Sequence, residues 1–174
     1  KEVLLKFTAN AFEGNYVTKE VYIGDTIQGD IHFYSFELDF IKAINFHNTY
    51  GISSIKTSNN GKYVVSSDFN KYIYCWNADD KSIVSDKLHF HTSRVYGLAW
   101  SYDDSMLVST SLDNIAIVWD MNTFSRINTF PVLDQKLALT CCFYGKDRKI
   151  IVGGHNNSPK IIGIDQKVTA PKLN

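Results

Sequence analysis

One stretch limits what this chain can fold into: HTSRVYGLAWSYDDSMLVSTSLDNIAIVWD, from His91 to Asp120. Apolar and polar residues alternate in VYGLAW, SMLVSTS and NIAIVW, a period of two that belongs to half-buried strands. Asp103-Asp104-Ser105 and Asp113-Asn114 punctuate the pattern with turn-forming side chains. The stretch therefore predicts three short strands joined by two tight turns.

The segment closes on Trp119-Asp120, and with that dipeptide it resembles a WD40 repeat, one blade of a β-propeller. In WD40 blades a His before the first strand, a Ser or Thr in the second, an Asp in the next turn and a Trp in the third form a buried tetrad. The resemblance places His91, Ser109, Asp113 and Trp119 in those roles, at spacings of 18, 4 and 6 residues (109−91, 113−109, 119−113). The residue types suit the chemistry. Asp113 accepts from one ring nitrogen of His91, the other nitrogen meets the Ser109 hydroxyl, and Trp119 supplies an indole donor on an apolar body. Such a network helps only when every member is satisfied, and losing one partner costs about 1–3 kcal/mol.

The whole chain agrees with a folded all-β protein. Its 174 residues suffice for a sizeable core, and 44% hydrophobic with 14% aromatic content is not the composition of a disordered chain. Eighteen basic and 18 acidic residues cancel, which argues against a nucleic-acid or anionic-membrane partner held by bulk charge. No apolar run approaches a transmembrane length. Neither a signal peptide nor an initiator Met is present, so the expectation is an internal piece of a longer protein. Cys75 and the adjacent Cys141-Cys142 form no CxxC pair. An odd count without framework spacing predicts reduced thiols and a cytoplasmic location.

Four blade-like units follow in order, spanning residues 1–45, 46–88, 89–131 and 132–174 of a single partial WD40 propeller domain. In the first, KEVLLKF, KEVYIG and DIHFYSF are expected strands, and Thr8 to Tyr16 an interruption rich in turn residues. Tyr34-Ser35 stands where Trp-Asp would be. In the second, GISSIKTS, KYVVSS and YIYCWN are strands, with Asn59-Asn60-Gly61-Lys62 as a tight turn. Trp76, Ser66 and Asn70 take tetrad positions there, Asn70 replacing the Asp, with His47 upstream. The third unit ends in an outer strand, Arg126 to Phe130, stopped by Pro131. In the fourth, LALTCCFYG, KIIVGG and KIIGID are strands, Asn156-Asn157-Ser158-Pro159 the turn, and Ile164 replaces the Trp. Four four-stranded blades are fewer than the seven usual in the family, and an unclosed ring exposes its end faces. The remaining blades are therefore expected from the same parent chain or from another chain.

FHTSRVYGLAWS with LVSTSLDNIAIVW, and GDIHFYSFE upstream, are further similar to the closing blades of the actin-interacting protein 1 family, WD-repeat partners of cofilin. That resemblance implies binding to actin filaments together with cofilin, promoting disassembly or barbed-end capping. The alternative is a WD40 scaffold subunit of another complex, in chromatin, ubiquitin ligation or trafficking. In either case the partner surface is expected on the rim that carries the tetrad loops. Its candidate residues are Phe69 and Lys71 in the second blade and Arg94, Tyr96, Leu112 and Asn114 in the third. The bland alternative is that Phe69 and Tyr96 pack between blades and Lys71 is solvated.

Other constellations carry less. His89-Phe90-His91 lacks the further ligands of a metal site, since His91 is claimed by the tetrad. Ser, His and Asp meet in the third blade without an oxyanion element, so neither catalysis nor a cofactor is expected. Asp103-Asp104 reads as a solvated hairpin turn.

Overall fold

The computed structural model describes residues 2–45, 50–86, 88–132, 138–146, 148–155 and 158–165. Fifteen strands are formed, and no helix occurs among the described residues. Each sheet is an antiparallel meander in chain order. The first contains β1 (Ala9–Asn15), β2 (Glu20–Asp25), β3 (Asp30–Ser35) and β4 (Phe40–Asn45). The second contains β5 (Ile52–Thr57), β6 (Tyr63–Asp68), β7 (Ile73–Asn77) and the short β8 (Ile83–Ser85). The third contains β9 (Val95–Trp100), β10 (Met106–Ser111), β11 (Ile115–Asp120) and β12 (Ser125–Pro131). The fourth has three described strands: β13 (Thr140–Phe143), β14 (Lys149–Gly153) and β15 (Lys160–Gly163). The expected turn at Asn156-Asn157 and the tail after Asp165 lie outside the described residues.

The strands that open each sheet, β1, β5, β9 and β13, pack side by side, each against the next. This is the arrangement of propeller blades, and it puts the core between sheets. One apolar cluster joins Tyr22, Ile31 and Phe33 of the first blade to Ile52, Val64 and Trp76 of the second. The next joins Val65, Ile73 and Cys75 to Leu98, Leu107, Ile117 and Trp119. A last one joins Val108, Val118 and Phe130 to Ile150, Val152 and Ile164. Trp76 opposite Val64, Trp119 opposite Leu107 and Ile162 opposite Ile150 hold equivalent register positions, and each presses against the blade before its own. The Trp equivalent is therefore Ile162 and not the expected Ile164, which follows the strand and bonds Arg148 O through its amide as Ala78 bonds Lys62 O and Met121 bonds Ser105 O.

The first blade departs from expectation. Residues Thr8 to Tyr16 are not an interruption, because Ala9–Asn15 is the innermost strand, registered on β2 from Ala9 opposite Asp25 to Asn15 opposite Glu20. With that edge of β2 filled, residues 2–7 cannot add the strand expected of KEVLLKF there. Residues 2–7 cross the outer face of the blade instead, where Phe7 stacks on His32 at 3.8 Å. Val3 and Leu5 line an open cavity of about 460 Å³ there with Phe12, Val21, Ile23, Tyr34 and Leu38. The turn-rich letters have a different use. Asn15 ends β1 and its side-chain oxygen accepts from the amides of Val17 and Thr18, while its NH2 donates to the Tyr22 hydroxyl and to Gly61 O. Gly61, at φ +72°, occupies the left-handed region that favours glycine, in the turn between β5 and β6.

Polar contacts bridge the blades as well. Glu13 pairs with Lys56 at 2.9 Å. Asp104 accepts from the amides of Asn59 and Asn60 at 2.7 and 2.9 Å, so it is an inter-blade clasp, not a merely solvated turn residue. Lys81 is buried, pairs with Glu20 at 2.5 Å, donates to Ala78 O, and lies over the rings of Tyr22 and Phe33. Burial, first, and the nearby Glu20 carboxylate push Tyr22 up to about 12, so its hydroxyl stays protonated in this network. Breaking a buried pair from one side strands a charge. Glu20→Gln is expected to lower stability by about 3–5 kcal/mol, and adding Lys81→Met to regain at least half of that loss. Urea denaturation followed by tryptophan fluorescence measures both; equal losses in the single and double variants would show that no stranded charge is involved.

Candidate functional site

In the third blade the strands bring His91, Ser109, Asp113 and Trp119 into one hydrogen-bonded chain. His91 Nδ1 lies 2.9 Å from the Asp113 carboxylate and Nε2 lies 2.8 Å from Ser109 Oγ. The Trp119 indole donates to the same Oγ at 2.8 Å. With Nδ1–H committed to the carboxylate, Nε2 accepts the Ser109 hydroxyl proton, so the direction runs Trp119, Ser109, His91, Asp113. Ser109 is fully buried and His91 3% exposed. The hydroxyl proton is held by imidazole and the oxygen is occupied by the indole, an arrangement that holds a loop rather than presents a nucleophile.

Asp113 is the organising charge. Burial alone would raise its carboxyl, but the His91 ring and the amides of Thr92 and Ile115 outweigh that and hold it below the ordinary carboxylate range. Those amide bonds, at 2.9 and 3.0 Å, tie the loop before β9 to the turn after β10.

The second blade solves the same problem differently. Trp76 donates to Ser66 Oγ at 3.2 Å. The turn is held by Asp68, whose Oδ1 accepts from Asn70 N at 2.8 Å and Tyr72 N at 2.9 Å. Asp68 is 1% exposed. The sequence comparison put Asn70 in the Asp role, but the carboxylate that shapes this turn comes two residues earlier, from the end of β6. His47 lies outside the described residues.

Both turns open on one rim, where the structure draws several of the expected residues together. The Arg94 guanidinium stacks on the Phe69 ring, with its central carbon 3.2 Å from the ring centroid, and donates to the Tyr96 hydroxyl at 2.7 Å. Leu112 adjoins them, its amide bonded to Arg94 O. Phe69 comes from the second blade and Arg94 and Tyr96 from the third, so the cluster spans a blade boundary while staying half-buried. Lys71 and Asn114 occupy matching turn positions in the left-handed region, at φ 76° and 60°. They shape the turns and are not part of the stack.

Other candidates resolve simply. His89 Nδ1 meets Asp86 O at 3.1 Å. Among the described residues no three His, Cys, Asp or Glu side chains group to hold a metal ion. Cys75 is buried, and desolvation pushes its thiol up to about 12; the same cause acts on Cys141, whose sulfur turns inward toward Val108 O. Cys142, on the opposite face, is exposed.

Residues 39–77 and 82–120 match the family model of the WD domain, G-beta repeat. Those two segments are thus similar to WD40 repeats. Protein HIR1 of Gibberella zeae is 32% identical over 101 residues, covering 49% of this chain and 10% of that protein. WD repeat-containing protein 1 of Mus musculus is 32% identical over 91 residues, covering 50% of this chain and 14% of that protein. The chain therefore spans a small fraction of the curated relatives it matches. Among solved structures, U3-55K superposes with a TM-score of 0.82 at 19% identity, over 92% of this chain and 50% of that one. The computationally designed Ika4 protein gives 0.75 at 18% identity, over 92% and 93%. These likenesses establish a fold of WD40 propeller blades.

Two outcomes are expected. Asp113→Asn lowers stability by about 1–3 kcal/mol near neutral pH, read from urea midpoints. Because the folded carboxyl titrates below its ordinary value of 3.8, the contribution is complete above that value and fades as pH falls through the depressed one. The gap between parent and variant should close in that acidic window; a constant gap would refute the charge argument. Separately, Cys142 should react with iodoacetamide in the folded chain, and Cys75 and Cys141 only after unfolding, as peptide mass spectrometry would show.

Proposed function

We propose that this chain is part of a WD40 scaffold that binds proteins through the rim carrying Phe69, Arg94, Tyr96 and Leu112, and that it performs no catalysis. One observation carries the reading: an arginine held between aromatic rings from two blades, on loops fixed by a buried hydrogen-bond chain. Aromatic and arginine side chains that are already ordered lose little freedom on binding, which makes them effective anchors. A cytoplasmic location and completion of the ring by further blades, of the parent chain or of another, belong to the same reading.

Two finer readings remain in play. The resemblance of residues 91–120 and of GDIHFYSFE to the actin-interacting protein 1 family favours a regulator that works with cofilin on actin filaments. The 32% identity to Protein HIR1 of Gibberella zeae equally favours a scaffold subunit of another assembly. Cosedimentation of the intact parent protein with actin filaments, with and without cofilin, separates them. Under the actin reading the protein pellets in a cofilin-dependent manner or filaments shorten and soluble actin rises. Substituting Phe69 and Arg94 by Ala should then reduce that effect at least tenfold. A folded parent that stays in the supernatant and leaves filaments intact removes actin and leaves the scaffold.

A further inference from the structure

We infer that the rim takes an acidic peptide segment of a partner protein, with a Glu or Asp side chain of that segment on the Arg94 guanidinium. The inference rests on the rim being the partner surface and adds the chemistry of what sits there. Arg94 carries five N–H donors, and among the described residues its guanidinium gives one of them, to the Tyr96 hydroxyl. No carboxylate among the described residues pairs with it. The acids of the flanking turns are already engaged. Asp68 is buried and bound to the Asn70 and Tyr72 amides, and Asp113 is bound to His91 and to the Thr92 and Ile115 amides.

Among the described residues, then, the Arg94 guanidinium has no carboxylate counter-charge, while Phe69 and Tyr96 hold it in place. The Phe69 ring covers one face of the guanidinium and Tyr96 fixes one corner, so the plane cannot rotate freely. An incoming group must therefore approach in the plane, along the edge that still offers donors. A carboxylate meets that edge with two parallel hydrogen bonds, the fork geometry that lysine cannot reproduce. Lys71, in the neighbouring turn and without a carboxylate partner among the described residues, adds a second positive charge to this part of the rim. Leu112 and the Phe69 ring supply apolar surface beside it, which suits a segment with apolar residues between its acids rather than a run of acids alone.

The test uses fluorescein-labelled peptides with alternating Glu and Leu, the same peptide with Gln for Glu, and one with phosphoserine for Glu. Anisotropy is followed on the full chain and on Arg94→Lys, Leu112→Glu and Lys62→Ala, with near-ultraviolet circular dichroism confirming that each variant is folded. Arg94→Lys keeps the net charge, and Lys62, on the turn at the opposite rim, controls for diffuse attraction. Binding of the Glu peptide with no measurable binding of the Gln peptide is expected, weakened at least tenfold by Arg94→Lys and less than twofold by Lys62→Ala. Equal binding to the parent chain and Arg94→Lys overturns the proposal; if Leu112→Glu still abolishes that binding, the rim remains the partner surface. Binding that neither rim substitution alters removes both. Binding of the phosphoserine peptide alone, or of no peptide, also overturns the acidic-segment assignment.

Discussion

The stability of every blade here depends on burial against the next one. A four-stranded meander is one layer thick and cannot enclose a core, so its apolar faces have to be covered by neighbours. Trp76, Trp119 and Ile162 show the rule at three successive boundaries, each filling the space against the preceding sheet. Tyr34 stands at the equivalent place in the first blade and looks onto the outer face, where residues of the 2–7 segment cover part of it. The energetics are then close to those of a linear array: a contribution from each blade plus one for each boundary. The polar clasps, Glu13 with Lys56 and Asp104 with the Asn59-Asn60 amides, sit on those same boundaries and fix the register of one blade on the next.

How much of this could be read beforehand varied from blade to blade, and for physical reasons. The third blade was legible because strand alternation, turn residues and the tetrad spacing all agreed. The second was legible in its strands but not in its turn. Asp68 lies inside the strand pattern, and nothing in the spacing says that it, rather than Asn70, would supply the carboxylate. In the first blade the rules pointed the wrong way. KEVLLKF has the better strand composition, but TANAFEGN has the better partner, and pairing outweighs propensity at a sheet edge. Lys81 was not legible at all. A lysine between an Asp pair and a Ser suggests a solvated turn, and only the neighbouring blade reveals a Glu20 carboxylate and two aromatic rings around it.

The buried tetrad and the rim are parts of one mechanical unit. Asp113 bonds the imidazole below and the Thr92 and Ile115 amides beside it, so the loop entering β9 and the turn leaving β10 are held together. Two residues past Thr92 the chain reaches Arg94, whose carbonyl accepts from Leu112 in that same turn. The position of the guanidinium is thus a consequence of a hydrogen-bond chain that begins at a tryptophan in the core. On the other side of the boundary Phe69 is set by a different device, its amide bonded to Gly51 O and its turn shaped by Asp68. Two independently fixed turns meet in one stack, and a side chain fixed from both sides has little rotamer freedom left to lose when a partner arrives. That is the physical reason for expecting selectivity at this rim. A flexible arginine would accept any nearby anion, whereas one confined to a plane discriminates by the direction and shape of what approaches it.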